Sequence, residues 1–177
     1  MDMAQQTIFW AALGLVALGL ALWRPDAARL ALGTFFISMA VGVNVVFVLA
    51  APDAFVDLGT SAPLLSPWGW VFEHVVAKAP AVFALLVASY EVAIGLMMMK
   101  GGRWGSLGLA GGIVFLLVIA PLGPWTLPNL IMAAALGAIL LRDPRLPSSI
   151  RGLSSGPPDA RRVQLGEDCA RQGVPAS

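Results

Sequence analysis

Apolar residues run through this chain in long, nearly unbroken blocks, with the polar residues gathered between them. A helix that crosses the hydrocarbon of a bilayer needs about 20 mostly apolar residues, within a range of about 17–25. Five blocks meet or approach that length: Thr7 to Trp23, Ala28 to Ala50, Ala79 to Met99, Trp104 to Pro121 and Leu127 to Leu141. The pattern predicts an all-α integral membrane bundle of five transmembrane helices. The last two blocks are short and joined by the tight segment from Pro121 to Pro128. One re-entrant hairpin competes there with two upright helices, and the pattern favours the two helices. The prolines fall at or near helix ends, where a missing N–H costs little.

The connections divide the chain. Residues 1–27 hold the first span and its turn, and residues 28–143 hold the other four spans. The connection 51–78 is long. Its first half reads as turns, from Pro52, Asp53, Gly59, Thr60, Ser61 and Pro63. Its second half reads as a short amphipathic helix lying in the interface, capped by Ser66 with Pro67 at its first position. Residues 144–177 are rich in Pro, Ser, Gly and Arg and lack hydrophobic periodicity, which predicts a disordered tail.

Composition sharpens this picture. Charged residues make up 12 % of the chain, against about 25 % in an ordinary soluble domain. Eleven basic residues against ten acidic ones leave no basic excess for nucleic acid. The single cysteine, Cys169, excludes an intramolecular disulfide framework and a Cys-rich metal site. Before the first apolar block stand only Met1 to Gln6, with Asp2 and no base, so a cleaved signal peptide is not expected. With five spans, ten of the eleven bases fall on one side and only Lys78 on the other. Positive charge marks the cytoplasmic side. The expected placement is a bacterial inner membrane, with the N-terminus outside and the C-terminus in the cytoplasm. The six tryptophans fall at span ends under the same topology, as interfacial tryptophans do.

Candidate chemistry begins with Glu91, about twelve residues into the third span and roughly 18 Å from its outer end. An acid near the bilayer midplane costs about 2.5–3.5 kcal/mol, so it faces the bundle and has a partner. One reading makes it a proton-relay or ligand-binding group. The other makes it a neutral acid bonded to a neighbouring helix. Ser38 lies at similar depth, and Tyr90 adjoins it. Asn44, about six residues from the outer end of span two, is an interhelical hydrogen-bond former or a member of a polar cavity with Glu91. On the outer connection, His74 beside Glu73 is a proton-shuttle candidate whose plainer reading is a solvated side chain. Gly105, Gly108 and Gly112 share one face of span four, which suits close helix packing within the chain. No metal site is expected. No haem ligand pair, P-loop or dinucleotide-binding loop is present, so no covalently bound cofactor is expected.

Three segments resemble the DoxX-like family of small bacterial membrane proteins. They are the stretch from Arg29 through Gly33 to Phe36, the stretch from Tyr90-Glu91 to Gly95, and the basic hinge from Lys100 to Arg103. The family's core is a four-helix bundle, which would match residues 28–143 and leave the first span as an addition. The resemblance implies a quinone-linked or redox-linked membrane assembly, with Glu91 as the family's intramembrane acid. The expected function is a non-catalytic or co-catalytic subunit of such an assembly, binding a quinone or lipid and docking partner proteins. A homo-oligomer is compatible with this. The alternatives are a small transporter or channel component using Glu91 and Asn44, and a pure scaffold subunit.

Overall fold

The computed structural model describes residues 3–142, and these are helical almost throughout, with no strand among them. Five helical stretches are long and apolar enough to cross a membrane: Ala4–Trp23, Pro25–Ala50, Pro80–Lys100, Gly102–Leu122 and Pro124–Leu141. Residues 102–141 thus form two helices, each long and apolar enough to cross a membrane. The predicted tail lies outside the described residues.

Helix α1 is Met3–Trp23 and α2 is Pro25–Met39, with Pro25 in the first turn of α2. A wide π-helical turn, Ala40–Asn44, leads into α3, Val45–Ala50. Helices α4, Pro52–Thr60, and α5, Ser66–His74, form the long connection 51–78, closed by a tight turn at Val76–Lys78. Helices α6, Pro80–Lys100, α7, Gly102–Ile119, and α8, Asn129–Leu141, complete the bundle.

The first half of the long connection is therefore helix rather than turns. Pro52 and Asp53 occupy the first turn of α4, where proline lacks no needed donor and an acid meets the positive end of the helix. Phe55 and Gly59, one turn apart, are buried on its inner face. The proline and acid that resemble turn formers are here helix starters. Helix α5 also begins one residue earlier than expected. Leu65 stands at the cap, and Ser66 lies inside the first turn without a capping hydrogen bond.

The long helices pack in a ring: α1 on α2, α2 on α6, α6 on α7, α7 on α8, and α8 back on α1. Leu32, Phe36, Met98, Leu109, Leu116 and Leu136 fill the centre. Between α2 and α6 the backbones nearly touch, since a Cβ on Gly95 would stand 2.7 Å from the Gly33 carbonyl oxygen. The guanidinium of Arg29 donates to the Met98 carbonyl near the end of α6. Arg142 does the same for α1, with Nη1 3.1 Å from the Ala21 oxygen. Both arginines place positive charge on carbonyls in or beside the last turn of a helix, at its negative end. The turn from α6 to α7 is made by Gly101 and Gly102, with φ of 70° and 60°. Only glycine adopts that left-handed backbone readily.

Candidate functional site

The buried polar centre of the bundle is a pair. Asn44 Nδ2 donates to Glu91 Oε2 at 2.5 Å, and both residues are buried. The local sequence explains how they meet. Buried positions on the second span recur every four residues: Ala28, Leu32, Phe36, Ala40 and Asn44. A helix of 3.6 residues per turn walks such a row around its axis by about 40° per step. The wide turn at Ala40–Asn44 winds it back, so that Asn44 still faces α6. Side chains tilt toward the N-terminus of their own helix. Because α2 and α6 run antiparallel, Asn44 and Glu91 lean toward each other.

A second feature lies at the end of the bundle that carries α4 and α5. The glycine face of α7 holds it close to α6 at the end near Gly101 and Gly102, where a Cβ on Gly108 would stand 2.7 Å from the Met98 nitrogen. Toward the end that carries α5, these two helices bear large side chains, and Trp68, Val71 and Phe72 of α5 line the space beside them. The result is a cleft of about 370 Å³ with an almost wholly apolar wall, including Phe72, Phe83, Val87, Tyr90, Phe115 and Ile119. Glu91 is not part of this wall. Two side chains of the wall carry polar atoms, and both are already bonded to α7. Tyr90 Oη donates to the Gly111 oxygen at 3.1 Å, and Trp68 Nε1 donates to the Val118 oxygen at 3.0 Å. Leu86, Tyr90 and Val118 are 60 %, 41 % and 49 % exposed, so the cleft opens sideways between α6 and α7. Its roof is fixed by the Leu64 amide on the Pro121 oxygen at 2.9 Å. It is backed by a chain of rings, Phe47, Phe55 and Phe72, with centroids 6.0 Å apart at each step.

The structure brings Asn44 and Glu91 together and separates the other candidates from them. Ser38 is exposed on the outside of the bundle. Tyr90, although adjacent in sequence to Glu91, points to α7 and the cleft instead. Neighbours along a helix lie about 100° apart around it, so adjacency in sequence separates rather than joins them. His74 and Glu73 are exposed, with 3.9 Å between Nδ1 and Oε2. The His74 ring stacks on Trp70, with centroids 5.0 Å apart. Gly105, Gly108 and Gly112 are buried, the last two against α6 and α8 side chains and backbone. Among the described residues there is no cluster of three or more His, Cys, Asp or Glu side chains fit for a metal ion.

Sequence reasoning missed the cleft. Its wall is built of residues that look the same as any lipid-facing span, so no contrast in polarity marks it. The one available signal was the aromatics Trp68, Phe72, Phe83 and Phe115, spread over α5, α6 and α7. Comparison of the chain with known protein families, with curated proteins and with solved structures gave no match.

Proposed function

We propose that this chain is a multi-pass protein of a bacterial inner membrane that holds a membrane-dissolved amphiphile, a quinone or a lipid, in the outer cleft. It serves a redox-linked membrane assembly as a non-catalytic subunit, with its N-terminus outside and its C-terminus in the cytoplasm. The observation that carries this reading is the cleft itself. Small-molecule sites are concave, largely apolar and about 300–1,000 Å³ in volume, and this cleft has that size and lining. The sideways opening suits a ligand arriving from the bilayer rather than from water. The DoxX-like resemblance supports the redox link. The orientation is supported by the charges: of the six described bases, Arg24, Arg29, Lys100, Arg103 and Arg142 gather at one end of the bundle and Lys78 stands at the other.

The test is purification in mild detergent, followed by native mass spectrometry and organic extraction. The reading expects a stoichiometric quinone or lipid and co-purifying membrane proteins. A bare monomer with an empty organic extract sinks it.

A second reading makes Asn44–Glu91 a proton-carrying site in a transporter component. It is favoured by the π-helical turn that aims Asn44, because such turns occur often at functional sites. Proteoliposome flux that survives in Glu91→Gln refutes it.

A further inference from the structure

The size and lining of the cleft do not say which end of an amphiphile it takes. The hydrogen bonds do. Each polar side-chain group on the wall, Tyr90 Oη and Trp68 Nε1, already donates to an α7 carbonyl. The wall offers no charged group to a polar head. A polar head pushed to the floor would lose its water without gaining full hydrogen bonds, which is costly. We infer that the cleft takes only the hydrocarbon tail of its occupant, entering sideways from the bilayer, and leaves a zwitterionic, ammonium-bearing head at the outer rim beside Glu73 and Lys78. This inference rests on the cleft being a binding site, as proposed above.

Charge and solvation argue for the head. Bilayer tails are as apolar as the wall, so moving a tail from bilayer to cleft gains little hydrophobic free energy. Selection must then come from the shape of the tail and from the head. At the outer end the described charges are Asp53, Asp57 and Glu73, all exposed, against one lysine, Lys78. That balance repels an anionic head and suits one that presents an ammonium to Glu73 and a phosphate to Lys78. Glu73 stands in the last turn of α5 and Lys78 in the turn that follows, the two elements whose Trp68, Val71, Phe72 and Val76 line the cleft, and both charged side chains are exposed. Tail below and head above therefore fit a single molecule standing in its outer leaflet.

The experiment uses the full chain reconstituted in vesicles with photoreactive phosphatidylethanolamine. One probe carries its reactive group at the tail end, the other on the head. Mass spectrometry maps the labelled peptides. The tail-end probe is expected to label residues 86–90 and 111–119, and the head probe residues 70–78. Val87→Trp, which fills the cleft, is expected to remove the first signal while labelling of lipid-facing α1 persists as an internal check on folding. Glu73→Gln, which leaves the buried wall intact, is expected to lower head-probe labelling about fivefold, the effect of roughly one surface charge on a lipid head. Head-probe labelling at the level of Tyr90 and Gly111, or equal labelling by an anionic phosphatidylglycerol probe, overturns this inference but leaves a ligand in the cleft. Labelling of α6 and α7 that Val87→Trp does not reduce overturns the binding site and this inference together.

Discussion

The contact of Gly33 with Gly95 gives the sharpest test of how the bundle holds together. In Gly95→Ala the new Cβ would stand 2.7 Å from the Gly33 oxygen and 2.8 Å from Ile37 Cγ1. Ordinary contact begins at 3.4 Å, so α2 and α6 must part by about 0.7 Å. The Ile37 side chain can turn aside, but the Gly33 carbonyl is helix backbone and cannot. A gap of that size forfeits about a quarter to a half of each dispersion contact it opens. The Asn44–Glu91 bond, 2.5 Å long, would stretch to no more than about 3.2 Å and survive at the edge of the normal range. The cost therefore falls mainly on packing, and overpacking of this kind costs about 1–3 kcal/mol. Gly19→Ala is the matched control, because nothing lies within 4 Å of its Cβ position. It should be neutral or stabilising by up to about 1 kcal/mol, the helix-propensity difference between glycine and alanine. Equilibrium unfolding in mixed micelles, followed by tryptophan fluorescence, reads both. Equal stability of Gly95→Ala and Gly19→Ala would refute the close-approach argument.

The buried pair predicts that Asn44→Ala destabilises the bundle by about 1–3 kcal/mol. A double-mutant cycle with Glu91→Met, which has no oxygen to accept, should return a coupling of about 0.6–1.7 kcal/mol in the same unfolding assay, and zero coupling would deny the bond. Trp68→Phe removes the hydrogen bond to Val118 and should raise hydrogen exchange across residues 64–76 severalfold, with α8 unchanged. For orientation, a cysteine placed at exposed Asp57 in a Cys169→Ser background should react with an impermeant maleimide added to intact cells. Reaction only after lysis would invert the topology.

Much of the fold was legible because a bilayer imposes one strong rule. Long apolar blocks must be helices, and Lys100-Gly-Gly-Arg103 can only be a turn between two of them. Glu91 was legible for the same reason, as a single acid in an apolar helix. Its partner was half legible: Asn44 stood out by polarity. Its aim depends on a wide turn that leaves no mark in the run Ala40-Val-Gly-Val-Asn44. Ser38 was misplaced because depth along a helix says nothing of direction around it. Helix α4 was hidden because proline, aspartate and glycine serve turns and helix starts alike, and burial of Phe55 decides between them. The cleft was illegible, since concavity among apolar residues is a property of packing alone.

The grip of Arg142 on α1 carries a consequence for assembly. Its Nη1 reaches the oxygens of both Ala21 and Leu22, 121 and 120 positions back along the chain. Synthesis proceeds from the N-terminus, so those carbonyls must wait for almost the whole bundle to be made. Until then α1 has neither α8 nor its clasp. The ring is therefore closed last at the seam between its first and last helices, and the nascent chain spends most of its synthesis as an open arc.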